Sequence, residues 1–324
     1  MSPASQVLPP APPILSARFA RAYWVTLRPY LCFVSGATGL VGVALAGAIP
    51  TIHALVVGCV FFVSYGLGQA LTDVTQLDTD AISSPYRPMV QGLVRPRDVL
   101  VVSLAGLAVC ALVLLAFSPV IALFAVLPIA GLATYTPMKR RFWAGPAWNA
   151  WIVATLPLLG ALTSRRDALA VLLDAHVRRA MATTFFAYLT FVLLGYLKDI
   201  EADRSTGYET LPVRFGRRWT VAVSAACAAC AIALSLPPGG GVAPIGGVIF
   251  WSLGALMLLL AHARAWTVTT DASAHPAITM GLRGYVALHL GEAIMLRPGL
   301  VVVAVATLAA FEVALAHRPS KEQV

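Results

Sequence analysis

Residues 72–88 read TDVTQLDTDAISSPYRP. Three carboxylates, Asp73, Asp78 and Asp80, stand directly after a long apolar run, and Arg87 lies between two prolines. A second acidic patch, KDIEADRSTGYETLPVRFG at 198–216, also closes an apolar run. Polar groups near membrane depth are costly and tend to be functional. The runs before these two patches decide the fold class, and the patches themselves point to the chemistry.

Of 324 residues, 59% are hydrophobic and only 11% charged, with a mean hydropathy of +0.82. Soluble domains average roughly 45–50% apolar and about 25% charged, so the composition indicates an integral membrane protein. The runs reach the roughly 20 residues that a spanning helix needs, and the alternation of a membrane β-barrel is absent. The expected fold is therefore all-α. Nine spans are expected, near 23–48, 51–71, 98–117, 119–136, 146–163, 181–198, 218–236, 243–264 and 297–316. The stretch ITMGLRGYVALHLGEAIML (278–296) suits an interfacial or re-entrant helix, or the first half of a longer last hairpin. Residues 1–20, rich in proline and without an apolar core, read as a disordered tail and not as a signal peptide. Residues 318–324 form a second tail, and 21–317 a single transmembrane domain.

The formal charge is +9 and the pI about 9.7. In so apolar a chain the basic residues read as loop anchors that meet anionic lipid headgroups, not as a nucleic-acid surface. If the N-terminus is cytoplasmic, Arg28, Arg87, Lys139, Arg140, Lys198, Arg264, Arg283 and Arg297 fall on that side. Arg165, Arg166, Arg178, Arg179, Arg318 and Lys321 fall on the other. The pattern RRDALAVLLDAHVRRA in 164–180 reads as an amphipathic surface helix. All five cysteines lie inside apolar segments and read as small hydrophobes, including the CxxC pair Cys227 and Cys230.

Both acidic patches fall on the basic, cytoplasmic side, separated by four spans. This reads as a parallel internal repeat of about 21–140 and 146–317, since an inverted repeat would place equivalent sites in opposite orientations. If the second span continues as a helix through the first patch, Asp73 and Asp80 differ by only about 20° in azimuth, with Gln76 on the same stripe. Asp78 points away. Asp199 and Asp203, at i and i+4, also share a face. Like charges on one face need a cation, and Mg²⁺ is often held by one or two carboxylates plus substrate phosphates. Arg28, Arg87, Lys139, Arg140 and Lys198 supply cations for phosphate oxygens. The residues together read as a metal-bound diphosphate site.

DTDAISSPYRPMVQG resembles the first signature of the UbiA superfamily of intramembrane prenyltransferases, typically NDxxDxxxDxxNxPxRPxxxG. Its DAIxxPYRP phrase is especially similar to the chlorophyll-synthase branch. KDIEADRSTGYETLPVRFG resembles the second signature, YTPMKR (135–140) a third element, and TLRPY (26–30) the arginine-proline of the first helix. The resemblance extends over about residues 20–317. It implies nine spans around a central cavity open to lipid on one side. It also implies Mg²⁺-dependent cleavage of an isoprenyl diphosphate. Carried over by position, Asp73, Asp80, Asp199 and Asp203 bind metal, and Arg28, Arg87, Tyr135, Lys139 and Lys198 bind diphosphate. The first signature departs from the pattern at Thr72, where the family has Asn, and at Gln76, where it has Asp. The Gln76 amide keeps a carbonyl oxygen for metal but loses one charge.

The expected reaction ionises an allylic diphosphate in a water-poor cavity and passes the prenyl group to an aromatic or other cyclic, hydrophobic acceptor. Tyr196, Phe191 and Trp151 are candidates to face the carbocation. A terpene cyclase of the same superfamily, without acceptor, is the alternative. A transporter would need ionisable groups at mid-membrane, whereas these acids lie at span ends. The implied setting is a bacterial plasma membrane, with the site facing the cytoplasm.

Overall fold

The computed structural model describes residues 12–236 and 243–320. Among them every regular element is helical and no strand occurs. Helix α1 (Ala17–Leu27) starts at Ser16, whose hydroxyl accepts from the Phe19 N–H at 3.2 Å. It begins inside the 1–20 stretch expected to be a disordered tail; residues 1–11 lie outside the described residues. Pro29 cannot continue a helix through its missing N–H. The chain therefore bends by 43° into a 3₁₀ turn and α2 (Cys32–Leu45). At the bend Arg28 takes a left-handed conformation, φ 51°.

The remaining helices follow in order. They are α3 (Thr51–Val74), α4 (Leu77–Ser83), α5 (Pro96–Phe117), α6 (Ala122–Arg141), α7 (Gly145–Ala154), α8 (Leu156–Leu162) and α9 (Ala168–Leu173). Then come α10 (Ala175–Gly195), α11 (Ile200–Ser205), α12 (Leu211–Phe215), α13 (Arg217–Ser235), α14 (Ile245–Ala265), α15 (His275–Leu296) and α16 (Val301–Ala316). Seven of the described helices are long and apolar enough to cross a membrane, and the bent α1–α2 pair makes an eighth. The expected fifth span is instead two short helices in series, α7 and α8, with Pro157 in the first turn of the second.

The nine-span reading is approximate mainly because of α15. The stretch 278–296 is part of a 22-residue helix buried along almost its whole length, and with α16 it makes the last hairpin, the third of the readings above. Arg283, His289 and Glu292 lower its hydropathy; His289 and Glu292 are buried, whereas Arg283 stays partly exposed. His289 bonds Thr184 at 3.2 Å, and Arg283 pairs with Glu312 of α16 at 2.7 Å. Glycines let α14 and α15 lie in contact. A Cβ on Gly254 would stand 2.5 Å from the Leu288 nitrogen, and one on Gly291 2.6 Å from that of Trp251.

Counting α15 as a crossing also reverses two charge assignments. Arg297 donates to the Gly47 carbonyl beyond the far end of α2, so it lies opposite Arg28. Helix α16 returns to the Arg28 end, where Phe311 packs on Phe33 with ring centroids 5.6 Å apart. Arg318 follows it there, while Lys321 lies outside the described residues. The 164–180 loop is likewise not one amphipathic helix. Asp167 caps the six-residue α9, Asp174 caps α10, and Arg178 and Arg179 belong to the first turns of that long helix.

Close approach of α2 and α8 rests on a pair of glycines, since a Cβ on Gly160 would fall 2.5 Å from the Gly42 Cα. Backbone cannot yield as a side chain does, and overpacking typically costs about 1–3 kcal/mol. Gly160→Ala is expected to lower the thermal unfolding temperature in detergent. Gly58→Ala, whose Cβ would meet nothing within 4 Å, should leave it unchanged or raise it.

Candidate active site

Helices α3 and α10 run in the same direction, and each ends on an acidic break. The α3 helix stops at Val74, and the backbone turns at Thr75 and Gln76 (φ −123°, ψ 22° at Gln76) before α4 begins. The Thr75 hydroxyl donates to the Thr72 carbonyl at 2.9 Å and meets the Thr136 hydroxyl at 2.7 Å, competing with the helical ladder. A continuous helix through 73–80, which the seven-residue spacing assumes, is therefore not formed. After α10 a 3₁₀ turn (Tyr196–Lys198) leads to Asp199 (φ −114°, ψ 11°) and then α11. The short helices α4 and α11 touch, with Thr79 and Thr206 hydroxyls 3.1 Å apart. The two acidic ends thus meet at one end of the molecule.

Four basic side chains lie between and beside the acids. Arg28 Nη2 donates to both Asp73 oxygens at 2.7 and 2.5 Å. Arg87 Nη1 bridges Asp73 Oδ1, at 3.3 Å, and Asp80 Oδ2. This brings Asp73 and Asp80 together despite the break. Lys139 Nζ reaches Gln76 Oε1 at 3.2 Å and Asp203 Oδ1 at 3.3 Å, above the rings of Tyr196 and Tyr208. Lys198 Nζ pairs with Asp199 Oδ1 at 3.4 Å. The Tyr135 and Tyr196 hydroxyls are 2.9 Å apart. Arg140 turns outward and holds both oxygens of Asp78 at 2.8 Å, on the exposed rim.

The strain at Arg28 has a local consequence. A non-glycine residue at positive φ costs of order 1–3 kcal/mol. Here that conformation joins α1 to the Pro29 turn, and the buried guanidinium docks on Asp73.

Electrostatics sets the acids apart. Burial pushes Asp80 above the ordinary carboxylate range, against Arg87 and with help from Asp73. Burial also acts on Asp199, but Lys198, Lys139 and Arg87 outweigh it and hold that carboxyl below its usual value. Asp203 is pushed up to about 6 by burial, with Lys139 opposing and Asp199 adding. Burial works against the charge on Arg87, yet Asp73, Asp80 and Asp199 outweigh it and raise its pKa.

Among the described residues, no group of three or more His, Cys, Asp or Glu is close enough to hold a metal alone. The carboxylates are paired with bases instead. The donor set still fits Mg²⁺ completed by substrate oxygens, because that ion takes one or two carboxylates plus phosphate. Asp80 Oδ2 and Asp203 Oδ1 are buried and, beyond their ion pairs, make no hydrogen bond.

Asp73, Gln76, Asp80, Arg28, Arg87, Lys139, Lys198, Asp199 and Tyr135 all line the polar end of one cavity of about 960 Å³. Asp203 does not; it lies fully buried behind Lys139, held also by Thr210 at 3.2 Å. Leu104, Leu107 and Leu114 of α5 and Ile129 and Leu132 of α6 form an apolar wall. Phe191 and Tyr196 face the cavity as expected, but Trp151 is not in its lining and packs against Gly131 of α6. Residue typing alone passed over Tyr65, Gln69, Asn149 and Tyr188, which also line it. Tyr65, Gln69 and Asp73 stand at i, i+4 and i+8, a helical stripe that continues the acidic face into the apolar run.

The UbiA prenyltransferase family model matches residues 34–286. Digeranylgeranylglyceryl phosphate synthase of Halobacterium salinarum is 32% identical over 252 residues, covering 74% of this chain and 86% of that protein. The enzyme of the same name from Methanopyrus kandleri is 28% identical, covering 78% and 91%. Among solved structures, an apo UbiA homolog from Aeropyrum pernix K1 superposes with a TM-score of 0.70 at 22% identity. It covers 80% of this chain and 96% of that one. A UbiA homolog from Archaeoglobus fulgidus, bound to GPP and Mg²⁺, gives a TM-score of 0.58 at 16% identity. It covers 82% and 99%. With its acidic helix breaks, its basic partners and a family match over most of its length, the chain belongs to the UbiA prenyltransferase family, and it is an integral membrane protein.

Proposed function

We propose that this chain is a Mg²⁺-dependent intramembrane prenyltransferase that takes an allylic isoprenyl diphosphate and passes the prenyl group to an aromatic or other cyclic acceptor. The observation that carries the reading is the meeting of two acidic helix breaks, interleaved with four basic side chains, at the head of one largely apolar cavity. Support for the cofactor and donor comes from the Archaeoglobus fulgidus homologs, bound to Mg²⁺ with GPP or DMAPP.

In this reading Asp80 and Asp199 would hold the metal, with Asp73 and the Gln76 carbonyl as further oxygen donors, while Asp203, behind Lys139, would orient that ammonium. Bound Mg²⁺ supplies Lewis-acid stabilisation of the charge that builds on the leaving diphosphate. Arg28, Arg87, Lys139 and Lys198 donate to diphosphate oxygens, aided by the Tyr135 hydroxyl, and Arg140 attracts the anion at the rim. The bond from the allylic carbon to oxygen breaks with its electron pair going to diphosphate. The α5–α6 wall keeps water from the cation, and the rings of Phe191 and Tyr196 face it. The acceptor then bonds to the allylic carbon and loses a proton.

A second acceptor class is favoured by the names of the archaeal relatives, digeranylgeranylglyceryl phosphate synthases. These point to a glycerophosphate-type acceptor. A terpene cyclase remains the alternative without any acceptor, and product mass separates the three. We place the protein in a bacterial plasma membrane with the polar end facing the cytoplasm, on the basic-residue bias of that end.

The test is diphosphate release from prenyl diphosphates by protein in detergent, with Mg²⁺ and with EDTA. Removing a group that stabilises transition-state charge typically costs about 100- to 1,000-fold. Asp80→Ala and Asp199→Ala are each expected to lose at least that much while the protein still inserts, and EDTA should silence the wild type. Full activity in either variant would overturn the assignment. Gln76→Asp is expected to retain activity. Its complete inactivation would mean that the neutral amide, which accepts from Lys139, has a role that a carboxylate cannot fill.

A further inference from the structure

The cavity has two unlike walls. Away from Tyr135 and the charged end, the α5–α6 side is mainly leucine, isoleucine and alanine. The side from α3, α7, α10 and the turn after α10 carries Ser64, Tyr65, Gln69, Asn149, Tyr188 and Tyr196 among apolar side chains. On that side the Tyr65 and Tyr188 hydroxyls are 3.0 Å apart, and Asn149 Nδ2 donates to Tyr188 at 3.4 Å. The Asn149 amide also faces the Tyr135 hydroxyl, which meets Tyr196. A polar strip therefore runs from the charged end into the membrane interior.

A prenyl chain has no use for such a strip, because it offers nothing to hydrogen-bond. Facing hydroxyls and an amide toward it is unfavourable unless those groups are otherwise satisfied. Asn149 has two N–H donors and two acceptor lone pairs, more than Tyr188 and Tyr135 use. Depth is informative too. Tyr65 is eight residues before Asp73 on α3, about 12 Å along the axis. Tyr188 is eleven residues before Asp199, a similar depth. A reacting carbon stands about 3–3.5 Å beyond the allylic carbon in an attack geometry. One ring further places a hydroxyl or carbonyl near the Tyr65–Tyr188–Asn149 group.

We propose that Tyr65, Tyr188 and Asn149 form the acceptor-specifying subsite, gripping a hydroxyl or carbonyl carried on the far side of a ring acceptor while the prenyl chain lies along the α5–α6 wall. This deepens the prenyltransferase reading and rests on it. These three are binding and positioning residues and take no part in breaking the diphosphate bond.

The test uses full-length protein in nanodiscs with Mg²⁺ and geranyl thiolodiphosphate, an unreactive donor analogue. Three probes are titrated: 1-naphthol and naphthalene, which differ by one hydroxyl, and a prenylglycerol phosphate. Wild type should bind 1-naphthol saturably. Asn149→Leu and the more conservative Tyr188→Phe should each raise its dissociation constant at least about fivefold, roughly 1 kcal/mol, as loss of one hydrogen bond does. Naphthalene should bind all three proteins alike. Equal naphthol affinity in all three, or no saturable binding to wild type, would overturn the subsite. So would a variant-sensitive affinity seen only for a prenylglycerol phosphate. Calorimetric affinity for the thiolodiphosphate, read on the same samples, tests the donor site separately. Its absence in wild type would sink the prenyltransferase reading, and its retention in the variants shows that they are folded.

Discussion

Buried charge is the constraint on which the rest of this structure depends. Four aspartates and four basic side chains gather at one end of the bundle, most of them nearly removed from solvent. Ion pairs in such a setting are poor stabilisers, because desolvation offsets the attraction between partners. The set is arranged so that no charge stands alone. Arg87 joins Asp73 to Asp80, Arg28 covers Asp73, Lys139 links the Gln76 turn to Asp203, and Lys198 holds Asp199. Remove one member and its partner is left buried and uncompensated. Backbone features around the site serve this arrangement: the left-handed Arg28, the turn at Thr75–Gln76 and the matching break at Asp199.

The same pairing prepares the site for an anion with its metal. In the proposed reaction a diphosphate entering the polar end would meet guanidinium and ammonium groups already in place, and a cation would meet carboxylates whose counter-ions the diphosphate could draw away. Reorganisation is small when donors are positioned in advance, which is where electrostatic catalysis gains most. Beyond the charges the cavity changes character within about two helical turns, roughly 11 Å. A largely apolar α5–α6 lining and the hydroxyls of α3 and α10 then share one space. The proposed donor chain and acceptor differ in chemistry in the same sense as these two linings.

Much of this was legible in the residues, for identifiable reasons. Apolar runs show the spanning helices because lipid demands about 20 such residues in a row. Acid at two span ends pointed to the candidate site because charge is rare there. The signature phrases of 72–92 and 198–216 then showed the family. Less visible was whatever tertiary context decides. The periodicity that aligned Asp73 with Asp80 assumed one helix, whereas Thr75 and Thr136 break it and Arg87 restores the alignment from outside. Helix α15 carries Arg283 and buries His289 and Glu292, so hydropathy undervalued it and sent Arg297 to the wrong end. Asp203 shares a turn with Asp199, yet the turn after α11 leaves it behind Lys139. Tyr65, Asn149 and Tyr188 look like ordinary aromatic and polar residues until the fold brings three helices together.

The central claim is that the two acidic helix breaks jointly hold one metal-bound diphosphate. Crystals grown with Mn²⁺ and geranyl thiolodiphosphate, measured at the manganese absorption edge, test it most directly. The account predicts an anomalous peak between Asp80 and Asp199, with diphosphate oxygens completing the metal's shell and reaching toward Arg87 and Lys198. A peak elsewhere, or a bound diphosphate that contacts only one of the two breaks, would contradict it.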